Sequence, residues 1–285
     1  MISDLLKQKE FTFSCEIFPP QKGAELGGVL ELVQNTAQLG PDFVSVTCGA
    51  GGTTAGTTRE VARHIEKCGV TALAHVTCAA LDKDQVTGLL GALADDGIKN
   101  ILALRGDLPH GEKAPKPGHY QYASELVADI KSRGGFCIGG ACYPEGHVES
   151  YNQDEDIAFL KEKVDAGCDF LATQMFFDNS VLYKFLFKLL KKDIDVPVVA
   201  GIMPVTNKKQ IARILEVSGT ALPARFQNIL DKFGDNPPAM QQAGIAYATE
   251  QITDLIANGV RGIHVYTMNK PEIAAKIMDN LSCII

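Results

Sequence analysis

Six polar residues end or directly follow short apolar runs, at a spacing that could gather them into one site. They recur about once every 30 residues, the length of one strand-helix unit, and they are Glu16, Thr47, His75, Asp107, Tyr143 and Gln174. If each run is a parallel strand, its polar residue lies at the carboxyl end, and these ends meet at one face of a barrel. The pattern therefore predicts one site built from six strand ends.

Glu16 has the type and the surroundings of a proton donor. It lies in the segment SCEIFPP (residues 14–20), whose apolar and aromatic neighbours should exclude water and raise the pKa of the carboxyl group. A carboxylic acid that stays protonated near neutral pH can act as a general acid. A salt bridge at the strand end is the alternative interpretation.

Asp107 closes the segment Arg105-Gly106-Asp107 after the fourth apolar run. The glycine would let the backbone approach a ligand closely, so the carboxylate could contact that ligand. An ordinary turn explains the same three residues equally well.

The cysteines and His75 allow two interpretations. The eight cysteines fall mostly inside apolar runs and form no CxxC pair, which is typical of reduced, buried thiols. Alternatively, His75 and Cys78 could join Cys48 and Cys142 in a thiolate-rich zinc site. His75 could also be a hydrogen-bonded histidine of the sheet or a cofactor contact.

Eight apolar, β-branched runs would position these residues as parallel strands buried on both faces. The runs are FTFSCEIF, FVSVTCGA, TALAHVTC, NILALRGD, FCIGGACY, FLATQMFF, PVVAGIMP and GIHVYTMN, and segments with helical periodicity separate them. A doubly wound open sheet is the alternative, but the glycine-rich G-x-G-x-x-G motif is missing after the first run. The sequence therefore predicts one (β/α)8 TIM barrel over residues 1–285.

The connection between the seventh and eighth runs is about twice as long as the others. It is rich in Ala, Gln and Leu and contains Asn236-Pro237-Pro238. We expect extra helix here, as an enlarged crossover between strands seven and eight.

Composition excludes several classes of protein. Hydrophobic residues make up 46% of the 285 residues and charged residues 21%, the balance of a globular protein with a sizeable core. The formal net charge of -7 leaves no broad basic surface, so we expect neither nucleic-acid nor membrane partners. The first ten residues lack the apolar core of a signal peptide. We therefore expect a cytoplasmic protein.

Several segments together resemble one known family, the bacterial-type, FAD-dependent methylenetetrahydrofolate reductases. From residue 11 to about residue 280, in order, they are CEIFPP, SVTCGAGG, AHVTC, LRGDLP, YPEGH, TQMFFD, GIMPVTN and HVYTMNK. The resemblance implies a barrel that holds FAD and reduces 5,10-methylenetetrahydrofolate to 5-methyltetrahydrofolate, with NADH or NADPH as donor. It also implies a homo-oligomer and no metal.

The resemblance assigns roles to individual residues. Glu16 is the implied general acid, and Asp107 lies beside both flavin and pterin. Gln174 and Gln210 are implied pterin contacts, and Lys270 would bind a folate carboxylate. The implied FAD contacts are Thr47, Cys48, Ala50, His75, Thr77, Arg105, Gly106, Asp107, Tyr122, Tyr143, His147, Asp156 and Lys163.

Four positions depart from the family pattern, and two further hypotheses accompany the resemblance. Phe159 and Glu162 replace polar or basic positions of the helix that contacts FAD in the family. Ile214 replaces an aromatic residue of the enteric bacterial sequences, and Lys270 replaces an arginine and so loses its bidentate fork. The chain ends at Ile285, soon after the predicted eighth helix, so we expect no C-terminal regulatory domain. A ferredoxin-type electron-transfer protein is an alternative donor, and a zinc-dependent barrel methyltransferase acting on folate or homocysteine is the alternative enzyme.

Overall fold

The eight apolar runs form eight parallel strands that close into a barrel in chain order. A computed structural model describes residues 1–20, 26–48, 55–79, 81–108 and 114–285. The strands pair successively, and β8 also pairs with β1, which confirms the predicted (β/α)8 barrel. They are β1 (Thr12–Ile17), β2 (Phe43–Val46), β3 (Thr71–Thr77), β4 (Asn100–Leu104), β5 (Cys137–Cys142), β6 (Phe170–Thr173), β7 (Val198–Ile202) and β8 (Gly262–Tyr266).

Amphipathic helices separate the strands and cover their outward faces. In α3, for example, Val61 and Ile65 are fully buried against the strands, while the exposed face of the helix carries Glu60, Arg63 and Lys67. The helices are α1 (Ile2–Gln8), α2 (Gly27–Ala37), α3 (Ala55–Lys67), α4 (Lys83–Asp95), α5 (Ala123–Arg133), α6 (Gln153–Asp165), α7 (Asn179–Lys191), α8 (Lys208–Ser218), α9 (Ala224–Phe233), α10 (Pro237–Ala257) and α11 (Pro271–Leu281).

Helix α1, which the sequence pattern did not predict, closes the amino-terminal end of the barrel. Ile2 and Leu6 pack into a buried cluster with Phe43 and Phe170 inside the barrel. The backbone N–H of Ile2 donates to Asn100 Oδ1 at 2.9 Å, so a buried polar group ties the helix to β4. Helix α1 therefore covers the barrel interior at the amino-terminal ends of the strands.

The enlarged crossover between β7 and β8 is confirmed, since residues 203–261 contain α8, α9 and α10. Asn236 caps α10 by accepting a hydrogen bond from the Ala239 N–H, and Pro237 follows as the first helical residue. Met175, Phe177 and Phe226 form a separate apolar cluster where this crossover meets the end of β6. The crossover thus builds one wall above the barrel mouth.

Among the helices of the described ranges, none is both long and apolar enough to cross a membrane.

Close packing of α10 on the loop after β7 makes Gly244 sensitive to substitution. A Cβ at this position would overlap the carbonyl oxygen of Val205. We expect Gly244→Ala to lower the free energy of unfolding by about 2 to 3 kcal/mol, because helix and loop must separate to admit the methyl group. Chemical denaturation of the purified variant measures this loss.

Gly88 in α4 provides the matched control, since nothing lies within 4 Å of a Cβ built there. Gly88→Ala should raise the free energy of unfolding by about 0.5 to 1 kcal/mol through helix propensity alone. If both variants were equally stable, the contact between α10 and Val205 would not constrain the fold.

Candidate active site

Two adjoining cavities open at the carboxyl ends of the strands. The smaller, the inner cavity, has a volume of about 240 Å³ and lies inside the barrel mouth, with Glu16, His75 and His264 in its wall. The larger, the groove, has a volume of about 930 Å³ and runs outward from the ends of β2 to β5 as far as α6, from Thr47 to Lys163. Thr47, His75 and Tyr143 line both cavities, so a ligand in the groove can reach the inner cavity.

The residues that the family resemblance assigned to FAD converge in this groove. Ala50 lies outside the described residues. All the others line the groove, namely Thr47, Cys48, His75, Thr77, Arg105, Gly106, Asp107, Tyr122, Tyr143, His147, Asp156 and Lys163.

The predicted substrate residues are divided between the cavities and their surroundings. Glu16 and Gln174 line the inner cavity, and Asp107 lines the groove. Gln210 lies in the first turn of α8 and Lys270 at the start of α11, and neither lines one of the two cavities. Their role in folate binding stays a prediction.

Ile214, the departure noted in α8, packs half-buried against the apolar cluster of the enlarged crossover. Its side chain therefore belongs to the wall above the barrel mouth.

The carboxyl group of Glu16 is buried among polar side chains of three neighbouring strands. The residue is 7% exposed. Ser45 Oγ donates to Glu16 Oε2 at 3.3 Å, and the Nε2 atoms of His75 and His264 lie 3.5 and 3.7 Å from the same oxygen. The parallel register explains this grouping, because Glu16 pairs with Ser45 on one side and with Tyr266 on the other.

A chain of hydrogen bonds fixes the orientation of His264. The Ser14 hydroxyl donates to the carbonyl oxygen of Ile263 at 3.0 Å, so its single proton is already engaged. The Nδ1 of His264 lies 2.8 Å from the same hydroxyl and is the donor in that contact in the tautomer that carries its proton on Nδ1. The remaining nitrogen, Nε2, lies 3.1 Å from Ser45 Oγ.

This arrangement can hydrogen-bond Glu16 in either of its protonation states. When Ser45 donates to His264 Nε2, the oxygen of Ser45 can accept a proton from a neutral Glu16. When Glu16 is ionised, Ser45 can donate to the carboxylate instead. The network thus satisfies both protonation states of the carboxyl group, as a group that gives up and regains a proton requires.

The expectation of a raised Glu16 pKa is wrong for the protein alone. Burial raises the pKa as expected, but the nearby imidazoles of His264 and His75 and the hydrogen bond from Ser45 outweigh it, so the net shift is downward. The sequence reasoning counted the apolar neighbours along β1 and missed the polar partners on β2, β3 and β8.

His75 lies at the junction of the two cavities with an unsatisfied nitrogen. Burial lowers the pKa of its imidazole to about 4, despite the opposing effect of Glu16. Its Nε2 is buried and has no hydrogen-bond partner. A buried polar atom without a partner is costly, and a polar ligand atom at this junction would satisfy it.

Cationic side chains lie along the groove, where they could bind an anionic ligand. Arg105 makes a bidentate ion pair with Glu149, at 2.6 and 2.7 Å, and this pair lowers the pKa of Glu149. Lys163 extends from α6 into the wall and donates to the carbonyl oxygen of Ala141, and burial lowers its pKa.

The remaining wall of the groove combines aromatic and acidic groups. Tyr143 meets His147 edge to face at 4.7 Å, and burial raises the pKa of Tyr143 to about 12. Burial also raises the pKa of Asp156, which accepts a hydrogen bond from Ser150 at 3.4 Å. These groups offer both a ring surface and hydrogen-bond partners to a ligand.

Gly106 is required by packing within the wall itself. It has φ of +76°, and a Cβ there would lie 2.7 Å from the Cβ of Thr77. The glycine therefore lets the loop after β4 lie directly on β3, where the sequence argument had expected close approach to a ligand.

The residues of the zinc hypothesis do not come together. Within the described ranges, no group of three or more His, Cys, Asp or Glu side chains is arranged to hold a metal ion. Burial raises the pKa of Cys78 and of Cys142 to about 12, so both are thiols. Cys48 accepts a weak hydrogen bond from Thr77 at 3.7 Å.

Sequence reasoning missed Ser14, Ser45, His264 and Tyr266 as site residues. Ser14 and Glu16 are two residues apart on β1, as are His264 and Tyr266 on β8, so each pair faces the barrel interior. Polar residues alternating inside apolar runs were the available signal. Which of them touch could not be read from the sequence, because it depends on the strand register.

The lowered pKa of His75 predicts how stability depends on pH. The imidazole of an unfolded chain takes up a proton near pH 6.5, whereas the folded protein takes it up only near pH 4. Between these values the unfolded state binds more protons. The free energy of unfolding should therefore fall on acidification, by up to about 1.4 kcal/mol per pH unit.

Denaturation of the wild type and of His75→Gln at several pH values measures this effect. The variant should show a shallower slope in this window, because glutamine does not titrate. Equal slopes would mean that His75 takes up its proton in the folded protein as readily as in the unfolded chain.

Comparison with known proteins finds relatives that match almost the whole chain. The chain is 35% identical to "Methylenetetrahydrofolate reductase (NADH) 1" of Arabidopsis thaliana, over 99% of this chain and 50% of that protein. It therefore spans about half the length of the plant relative. It is 32% identical to "5,10-methylenetetrahydrofolate reductase" of Escherichia coli strain K12, over 96% of this chain and 92% of that protein.

Among solved structures, a Clostridium thermocellum protein shares the fold with a TM-score of 0.64 and 15% sequence identity. The likeness covers 99% of this chain and 98% of that one, and that protein is described as binding two copies of 5-methyl-5,6,7,8-tetrahydrofolic acid. At this identity the likeness shows the barrel fold alone.

The family resemblance noted in the motifs is confirmed over almost the whole chain. The sequence model of the family "Methylenetetrahydrofolate reductase" matches residues 1–282. The residues assigned from those motifs also line the two cavities, except Gln210 and Lys270, which line neither, and Ala50, which lies outside the described residues. This chain belongs to the methylenetetrahydrofolate reductase family.

Proposed function

We propose that this protein reduces 5,10-methylenetetrahydrofolate to 5-methyltetrahydrofolate with bound FAD. The observation that carries the proposal is the buried Glu16, which faces the inner cavity and shares a hydrogen-bonding network with Ser45 and His264. Membership of the reductase family supports the same reaction.

The groove fits FAD in size and in chemistry. Its volume of about 930 Å³ lies at the upper end of the usual range for small-molecule sites, as an extended dinucleotide requires. The unpaired Nε2 of His75 needs a polar ligand atom where groove and inner cavity meet. When bound, reduced FAD would supply the hydride.

Residues of the groove would hold the parts of the cofactor. Arg105 and Lys163 are the cations for its pyrophosphate or ribityl region, and Arg105 can exchange Glu149 for a ligand oxygen. Tyr143 offers a ring face, and its high pKa keeps the hydroxyl protonated as a donor. Asp107, exposed at the rim of the groove, would hold the pterin amino group and oppose negative charge on the reduced flavin.

The inner cavity would take the reacting part of the folate. Gln174 lines it at the end of β6 and offers an amide to the pterin. Glu16 would protonate the bridging nitrogen of the substrate, because an amine nitrogen leaves poorly until it carries a proton. Opening of the five-membered ring then produces the electrophilic iminium group that accepts a hydride.

The lowered pKa of Glu16 in the protein alone is compatible with this role. A folate in the inner cavity would displace water from the carboxyl group, and loss of water favours its neutral form. The network of Ser45 and His264 can hydrogen-bond the neutral carboxyl group when the site is closed from solvent. Glu16 can then act as an acid in the filled site.

We propose NADH as the electron donor, in line with the name of the Arabidopsis relative. NADPH and a ferredoxin-type protein are the alternatives. Absorption spectra of the purified protein under anaerobic conditions separate them. A flavin band that bleaches with NADH and returns with methylenetetrahydrofolate would support the proposal, whereas a protein that binds no flavin would contradict it.

Replacing Glu16 by Gln should separate the two half-reactions. We expect Glu16→Gln to leave flavin reduction by the donor intact and to slow folate reduction by about 10² to 10⁴-fold, the usual contribution of a general acid. Stopped-flow absorbance of the flavin measures each half-reaction separately.

Glu31→Gln is the control for this variant, since Glu31 is exposed on α2 and the substitution makes the same change in charge. It should behave as the wild type in both half-reactions. Normal folate reduction by Glu16→Gln would remove the proton-donor role.

A further inference from the structure

We propose that Asn269, together with Thr267, positions Glu16 for proton transfer by fixing the backbone of β1 at and beyond this residue. The inference rests on the proposed role of Glu16 as the proton donor. Asn269 and Thr267 are positioning residues, since both contact the backbone of β1.

The side-chain amide of Asn269 makes hydrogen bonds with both the N–H and the carbonyl oxygen of Phe18. Its Oδ1 accepts from the Phe18 N–H at 2.8 Å, and its Nδ2 donates to the Phe18 carbonyl oxygen at 3.0 Å. Thr267 Oγ1 donates to the backbone carbonyl oxygen of Glu16 at 2.7 Å. Three hydrogen bonds thus run from the loop after β8 to the residues on either side of Ile17.

These bonds begin where the strand pairing ends. The register between β1 and β8 ends with Glu16 opposite Tyr266. Pro19 and Pro20 follow Phe18 and have no backbone N–H, so the strand cannot continue its ladder there. The Asn269 side-chain amide bonds Phe18 as a neighbouring strand would, one step beyond the last paired residue. The barrel is already closed by the pairs between β1 and β8, so these amide bonds are not needed for closure.

The loop adopts an unusual backbone to make these contacts. Met268 and Asn269 have φ of +53° and +59°, the left-handed region that residues other than glycine rarely enter. Asn adopts this left-handed conformation more easily than most residues, whereas Met has no such preference. In the described ranges, Asp193 is the other residue besides glycine with positive φ, and it follows α7 at the opposite end of the barrel.

The hydrogen bonds from Asn269 and Thr267 hold the backbone close to the Glu16 carboxyl group. Glu16 faces the inner cavity and Phe18 lines the groove, so the fixed segment runs between the two cavities. A shift of about 1 Å in a reacting group can cost about 10²-fold in rate. Release of Phe18 would let the end of β1 move and take Glu16 away from Ser45 and His264.

Asn269→Gly is the variant that tests the inference. Glycine accepts the positive φ, so the substitution removes the two amide bonds without adding backbone strain. Met268→Gly is the matched control, because it relaxes the neighbouring residue and keeps both bonds to Phe18. Asn269→Asp is a second variant, which keeps the acceptor for the Phe18 N–H and loses the donor.

Stopped-flow absorbance across a range of pH gives the decisive measurement. We expect Asn269→Gly to slow reoxidation of the reduced flavin by methylenetetrahydrofolate by about 10 to 10²-fold and to shift its pH profile. The titratable groups that face Glu16 are His75 on β3 and His264 and Tyr266 on β8. Flavin reduction by the donor should stay within about twofold of the wild type, Asn269→Asp should be intermediate, and Met268→Gly should match the wild type.

Hydrogen exchange of the Phe18 amide provides a readout that does not depend on activity. Its protection should be lost in Asn269→Gly and kept in Met268→Gly. An unchanged pH profile and rate in Asn269→Gly would overturn the inference while wild-type turnover persists. If the wild type itself failed to reduce the folate, the proposed function would fall instead.

Discussion

The burial of one carboxyl group, that of Glu16, is the constraint on which the rest of the site depends. An ionised carboxylate is costly away from water unless hydrogen bonds and charges compensate for it. Here Ser45 donates a hydrogen bond to the carboxylate, and the imidazoles of His75 and His264 lie beside the same oxygen, so residues of three different strands meet there. The barrel must close in one register for these groups to surround the same oxygen.

Closure of the barrel also determines the shape of the space next to Glu16. Tyr266 donates its hydroxyl to the Thr173 carbonyl oxygen at 2.7 Å, across the interior from β8 to β6. A Cβ on Gly201 would lie 2.5 Å from that hydroxyl, so the missing side chain on β7 makes room for the ring. Phe43 stacks on the imidazole of His264 with 5.9 Å between ring centres. Small and large residues thus alternate to leave a cavity beside the carboxyl group.

In the groove, unlike around the buried Glu16, charged side chains are partly exposed to solvent. Arg105 and Glu149 are partly open to solvent, so their ion pair contributes little to stability and can exchange partners readily. Lys163 is held deep in the wall by the backbone of Ala141. The inner cavity, where buried side chains surround Glu16, therefore adjoins a groove that is suited to reversible binding of an anionic cofactor.

The sequence by itself determined the strand order, the enlarged seventh crossover and most of the groove. Apolar runs at regular spacing predict a barrel, and Thr47, His75 and Tyr143 follow from their places at strand ends. The family resemblance implied the other groove residues, such as Arg105 and Lys163. The local sequence pattern suffices for these features, because a residue at the carboxyl end of any barrel strand lies at the same face of the barrel.

Only the tertiary structure decided what surrounds Glu16. The prediction of a raised pKa used neighbours along β1, whereas the direction of the shift depends on His264, which is 248 positions away in the printed sequence. The bonds from Asn269 to Phe18 and the closure of the barrel floor by Ile2 were equally invisible in the sequence. Contacts between the first and last strands depend on barrel closure and register, and no local pattern of residues encodes them.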